Sequence, residues 1–129
     1  MKRLILILVT FALFLVLTTS CGPDNPFGPN PSPSALTGLT QNQTTAELSW
    51  TTNPDTDFAS YTLYKSETPN IQSNSGSATI LTVITDKNVT SHLDENLTPG
   101  STWYYALLTT NSNGGTTWSN EVNVTLPTQ

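Results

Sequence analysis

Few residues in the chain can do chemistry, and most of those stand apart. His92 is the only imidazole and Cys21 the only thiol. A general base needs a nucleophile or an orienting acid within hydrogen-bond reach. Ser91 adjoins His92, but neighbours on a strand point to opposite faces; Asp94, two residues on, shares its side. The expectation for His92 is a packed, hydrogen-bonded ring rather than a catalyst. Asn53, Asp55 and Asp57 set three side-chain oxygens at alternate positions, like the first half of a calcium loop. The sixth and twelfth positions of such a loop call for Gly and an acid, and here hold Phe58 and Tyr64. Turn and backbone capping is the simpler use of these residues, with calcium as the weaker candidate. Asp94-Glu95 precedes a turn and is expected to be solvated. As sequence neighbours, the two are poorly placed to act as a catalytic carboxylate pair.

Composition removes whole classes of function. The 129 residues carry four Lys+Arg against nine Asp+Glu, a formal charge of -5. Lys2 and Arg3 lie at the N-terminus, so past them only Lys65 and Lys87 are cationic. Phosphate neutralisation is out of reach, and with it nucleic-acid binding. Arg3 is the only Arg, so there is no Arg-Gly-Asp loop. One Cys permits no internal disulfide, no Cys-based zinc site and no paired-thiol redox chemistry. Thr, Ser, Asn and Gln fill 53 positions, 24 of them Thr, which makes a polar, uncharged surface rich in β-branched residues.

The elements that must position the remaining candidates are strands. No window from residue 34 onward has helical periodicity. In Thr44–Thr51, Ala46, Leu48 and Trp50 alternate with polar residues. Tyr61 and Leu63 alternate with Thr62 and Tyr64, and Trp103, Tyr105 and Leu107 with Tyr104, Ala106 and Leu108. Val122, Val124 and Leu126 repeat the pattern near the end. Period two places each set on one face of a sheet, and turn residues such as Thr98-Pro99-Gly100 separate the runs. Residues 78–85 predict one more strand with an ambiguous buried side, since Ile80 and Ile84 oppose Leu81 and Val83. The stretch 68–78, rich in Ser and Asn, predicts a loop.

These residues resemble a fibronectin type III domain over 34–127. Trp50 fits the family's core tryptophan, and Asp55-x-Asp57-Phe58-x-x-Tyr61-x-Leu63-Tyr64-Lys65 its third strand and preceding turn. Leu97-x-Pro99-Gly100-Ser101-x-Trp103 resembles the signature before the sixth strand, with Trp103 in place of the corner tyrosine. Ser119-Asn120-Glu121-Val122-x-Val124 fits the last strand. The resemblance implies an all-β, seven-stranded antiparallel immunoglobulin-like sandwich.

The N-terminus reads as an address. Lys2-Arg3, an apolar run Leu4–Leu17 and small residues up to Ser20 predict a signal peptide over 1–20. The run is too short to span a bilayer, which takes ~20 residues. Ending on Cys21, it resembles a bacterial lipoprotein signal, though Thr18 stands where the lipobox prefers Leu. That resemblance implies cleavage between Ser20 and Cys21 and a covalent lipid on Cys21, with no other cofactor. Gly22 lacks the inner-membrane retention signal of such proteins, so the expected place is the cell envelope, at the outer membrane or cell surface. Residues 21–33 hold five of the nine prolines and predict an extended tether, reaching ~3.1 Å per residue.

The function expected is that of a non-enzymatic binding, adhesion or assembly module. It would be fixed to a membrane by lipid and would dock an envelope or extracellular protein through sheet edges or loops. The alternative is a carbohydrate-binding accessory. If Trp50, Tyr61 and Trp103 point inward, Tyr64 and Tyr104 point outward, and Trp118, expected to be the most exposed, completes a face able to stack on polysaccharide.

Overall fold

The computed structural model describes residues 28–129. The expected signal peptide over 1–20, its cleavage between Ser20 and Cys21 and the lipid on Cys21 lie outside them. Eight strands follow in order: β1 (Leu36–Thr40), β2 (Ala46–Trp50), β3 (Phe58–Ser66), β4 (Thr79–Ile84), β5 (Ser91–Asp94), β6 (Thr102–Asn111), β7 (Thr116–Trp118) and β8 (Val122–Thr125). They form a three-stranded sheet, β1-β2-β5, and a five-stranded sheet, β4-β3-β6, in which β7 and β8 both pair with β6. All pairings are antiparallel.

The period-two residues meet between the sheets. Leu36, Leu48, Trp50, Tyr61, Leu63, Tyr105, Leu107, Val124 and Leu126 are buried in one core. Trp50 meets Tyr61 edge-on at 5.8 Å, and Phe58 lies 4.5 Å from Tyr61. Gly38 lets β1 run against β8: a Cβ there would stand 2.8 Å from Val124 Cγ2.

The eight elements are the seven strands of the sandwich with the last one broken. At the break, Ser119 exchanges two bonds with Leu107: its N–H donates to Leu107 O (2.8 Å) and its Oγ accepts from Leu107 N (2.9 Å). Asn120 turns to the other sheet. Its side-chain amide accepts from Leu36 N and donates to Leu36 O, both at 2.8 Å, as a strand backbone would. Thr40 adds a further bond across the seam between the sheets, its hydroxyl donating to Thr125 O at 3.1 Å.

The ambiguity of 78–85 has a physical cause. The β3–β4 register shifts between Leu63 and Tyr64: Leu63 faces Thr82 while Tyr64 faces Ile80, leaving Leu81 as the extra residue. Such a bulge inverts the alternation. Leu81 and Ile84 both pack on the core, and Ile80 and Val83 both point out.

Candidate functional site

The three-oxygen loop holds the chain's own N-terminal segment. Asp55 accepts from Ser32 twice, from its N–H at 2.6 Å and its hydroxyl at 2.9 Å. Asn53 donates its side-chain amide to Ser32 O (2.7 Å) and accepts from Asp55 N–H (2.9 Å). Its own N–H donates to the Tyr61 hydroxyl at 2.7 Å. Asn111 adds a bond to Pro29 O at 2.9 Å, and Pro31 is buried. Asp57 contributes only its backbone carbonyl, to Ser112 N–H at 2.7 Å. The side-chain oxygens of Asn53 and Asp55 are turned to these bonds rather than toward a shared ion, and no cluster of metal-ligating side chains forms among the described residues. The Ser32 amide and hydroxyl hold the Asp55 carboxyl below its ordinary value. Residues 29–32, drawn from the sequence as tether, are therefore clasped to the domain. The cause is long-range hydrogen bonding that no local composition announces.

The outward aromatics lie together but not open. Tyr64 and Trp118 meet across β6 at 5.0 Å with their planes 54° apart. Trp118 faces Leu108, and Tyr64 faces Ala106. Tyr104 stands beside them opposite Ser66 and Asn123. All three aromatics are half-buried, so Trp118 is not the most exposed residue expected of it. Part of the reason is the β3–β4 loop. Glu121 accepts from the N–H groups of Asn70 (3.1 Å) and Ile71 (2.8 Å), and Gln72 donates to Ser119 O (3.1 Å). To reach the β7–β8 break from β3, the loop has to cross the outward side of β6. Ile71 is 1% exposed yet lies outside the sandwich core, and outward-facing Ala106 is fully buried. Asn70 takes a positive φ of 68° at this crossing. The signal for the strap was the single large apolar residue in a Ser- and Asn-rich stretch.

Asp94 overturns its sequence reading, whereas Glu95 is exposed as expected. Asp94 is 6% exposed, opposite Ala46 on the inner face. It accepts from Lys65 Nζ at 2.9 Å and from the Tyr105 hydroxyl at 2.8 Å. Burial, with this carboxylate alongside, pushes the Tyr105 phenol well up. Lys65 Nζ also lies 4.2 Å from the centre of the Trp103 ring. Lys65 follows Tyr61 and Leu63 on the inward parity, and an inward Lys requires an acid; that was the missed signal. His92 faces Leu48 from β5 and is half-buried. No hydrogen bond to its ring forms among the described residues, unlike the bonded ring expected.

Trp103 rebuilds the corner by a relay. Its indole N–H donates to Ser101 Oγ (2.8 Å), and that hydroxyl donates to Thr98 O (2.6 Å). The carbonyl upstream of the strand is thus reached through one intermediate hydroxyl.

On the other sheet, Leu39, Glu47 and Leu93 form one cross-strand row. The two leucines are 56% and 52% exposed, and Gln41 donates to the Glu47 carboxylate.

A fibronectin type III domain model matches residues 31–125. No curated protein matches the chain. Among solved structures, the chain is similar to the sixth fibronectin type III domain of human fibronectin type III domain containing protein 3, with 18% identity, TM-score 0.64, and 78% of this chain and 90% of that one covered. It is similar to the FN1–FN3 domains of chicken CNTN1 (15% identity, TM-score 0.63, 77% of this chain and 33% of that one). It is also similar to pectate lyase PelI from Erwinia chrysanthemi in complex with tetragalacturonic acid (17% identity, TM-score 0.61, 72% and 28%). The chain spans a third or less of these last two, and at such identities the likeness is one of fold.

Proposed function

The chain belongs to the fibronectin type III family over residues 31–125, and from that premise we propose that it is a non-enzymatic binding or assembly module held at a bacterial envelope by lipid on Cys21. Domains of this family generally mediate protein–protein binding. The observation that carries the reading is the Leu39–Glu47–Leu93 row: two half-exposed leucines flank a carboxylate on the outside of the three-stranded sheet. Apolar anchors beside a polar group are what a protein partner buries. The partner is an envelope or extracellular protein, and the lipid places the module at the outer membrane or cell surface.

Residues 1–20 serve as the signal in this reading, with cleavage between Ser20 and Cys21. The clasp at Ser32 supports end-on presentation, because it ties the tether to the loop at 53–57 and to Asn111. That end faces the membrane, and the sheet faces stand clear for a partner. Polysaccharide stacking is the weaker reading: Tyr64 and Trp118 are tilted onto one another and half-buried rather than laid out as a flat platform.

A photo-reactive amino acid at position 93 of the full chain, in cells, tests the partner. The expected result is one discrete adduct with an envelope protein, lost in Leu39→Glu. An adduct unaffected by Leu39→Glu, or none at all, contradicts the proposal.

A further inference from the structure

We infer that the cavity between Lys65, Trp103 and the two limbs of the β3–β4 loop is a binding site for a neutral sugar unit. This goes beyond the protein-binding reading above, does not depend on it, and uses none of the aromatics on the sheet face.

The first observation is the cavity itself. About 380 Å³ of open space lies at the end of the sandwich where β3 finishes. Residues 66–68 line it from the outgoing limb of the loop, Ser77 and Thr79 from the returning limb, and Lys65 and Trp103 from the sheet. The strap between the limbs is drawn across β6 to Glu121, away from this mouth. Small-molecule sites span roughly 300–1,000 Å³. At the lower end of that range there is room for a small unit, not for a length of polymer.

The second observation is what the walls can bond. The Lys65 ammonium meets the two Asp94 oxygens at 2.9 and 3.2 Å and lies 4.2 Å from the centre of the Trp103 ring. Of its three N–H groups, one is left for a ligand oxygen. Among the described residues, the Glu67 carboxylate and the Thr79 hydroxyl make no hydrogen bond. Ser77 Oγ donates to Asn74 O at 2.9 Å and keeps its capacity to accept. Donors and acceptors thus converge beside one indole ring.

The third observation is charge, which selects the class of ligand. Asp94 balances Lys65, so Glu67 leaves the walls net negative, in a chain of formal charge -5. A carboxylate or phosphate is repelled, and a cation meets the Lys65 ammonium. An apolar ligand would take water from Lys65 and the hydroxyls and return no bond. A neutral polyhydroxyl ring meets every wall. Its hydroxyls accept from Lys65, donate to Glu67 and pair with Ser77 and Thr79, and its C–H side lies against the indole.

The fourth observation is position. On β3, Phe58 faces Asn111, which holds Pro29, and Ser66 faces Tyr104. The N-terminal segment therefore joins one pole of the sandwich and the cavity opens at the other. Nine residues of β3 separate them, roughly 30 Å. A glycan approaching from the side away from the tether reaches the cavity first.

The test is a titration followed in nitrogen–proton correlation spectra of the full chain, held in a detergent without a sugar headgroup. The probes are glucose, galactose, mannose and N-acetylglucosamine, their methyl glycosides, and the uronic acids of the first three. At least one neutral sugar should shift, to saturation, the Trp103 indole N–H and the amides of residues 65–68 and 77–79, with the Trp118 indole unmoved. Its uronic acid should bind more weakly. Shifts with the methyl glycoside mark a chain end as the ligand, and shifts with the free sugar alone mark a free sugar; either supports the site. Glu67→Ala/Thr79→Val, at two exposed positions, removes two hydrogen-bond partners and should weaken binding roughly tenfold or more. If that pair loses its fold, Glu67→Ala alone takes its place, with a several-fold loss expected. The inference is overturned if no neutral sugar moves these signals, or if the shifts centre on Trp118. It is equally overturned by a uronic acid that binds more tightly than its neutral parent, or by affinity unchanged in the variant.

Discussion

The two sides of β3 and β6 carry similar residues and have different fates. Inward stand Tyr61, Leu63, Tyr105 and Leu107; outward stand Tyr64, Tyr104, Ala106 and Leu108. The inward set is fully buried, and both of its phenols have fixed partners, Asn53 N–H and Lys87 O for Tyr61 and Asp94 for Tyr105. Outward, the aromatics are half-buried, with Tyr64 and Trp118 packed on each other and the β3–β4 loop crossing beside them. The strands do not differ; what lies opposite does. A second sheet gives many packed neighbours that cannot leave singly, whereas a loop held by one carboxylate and one amide can lift off. Stability therefore resides inside the sandwich, and adaptability outside it.

Deleting equivalent apolar groups on the two sides measures that contrast. Leu63→Ala, inside, should cost about 3 kcal/mol in denaturant unfolding. Ile71→Ala, in the loop, should cost about 1 kcal/mol and speed amide exchange mainly within 67–78. Equal costs would erase the distinction between core and strap.

Lys65→Met tests the polar part of the interior. Breaking one side of a buried pair costs about 3 kcal/mol, because Asp94 is left with only the Tyr105 hydroxyl as a partner. A stability equal to wild type would show that the pair adds nothing.

Alkaline pH probes the same cluster. The Tyr105 phenol is raised in the folded chain above its ordinary value of 10.0. Its contribution is fully present below that value and is lost as pH rises beyond it, because the unfolded chain releases this proton first. Thermal melts should therefore show the melting temperature falling above pH 10, with a shallower fall in Tyr105→Phe. On the acid side Asp55 is lowered by Ser32, so the clasp holds above the ordinary carboxylate range and releases as pH falls through the lowered value. Loss of protection at the Ser32 amide in acid, measured against its intrinsic exchange rate, would report that release.

The smallest effect belongs to the strap's anchor. Glu121→Ala removes the acceptor of the Asn70 and Ile71 amides, at about 1 kcal/mol or less. Exchange at those two amides should rise several-fold while the melting temperature barely moves. A large drop in melting temperature would place the strap within the global fold.

Legibility in the sequence followed the range of each interaction. Period two in Ala46–Trp50, Tyr61–Leu63 and Trp103–Leu107 yielded the sheets and their inward faces, because a strand's alternation is local. The inserted Leu81 hid the burial of β4, since a bulge inverts parity without a mark in composition. Asp94 read as solvated because its partners, Lys65 and Tyr105, lie 29 and 11 residues away. The clasp joins Ser32 to Asp55 across 23 residues, and the strap joins Ile71 to Glu121 across 50. Acids and amides at turns look the same whether they cap their own loop or hold another. Trp103 was legible as the inward corner residue and lies half-buried against the core, but its relay depended on the hydroxyl of Ser101.

The most direct test of the functional reading is the anchor. The full chain, expressed with its N-terminus in a bacterial host and fed a radioactive fatty acid, should carry label in the wild type and none in Cys21→Ala. Label on the wild type alone, with the protein in the membrane fraction, is the result predicted for a lipid-held module. Wild-type protein that is unlabelled and free in the periplasm or medium would contradict it and leave a soluble domain whose faces act without a membrane.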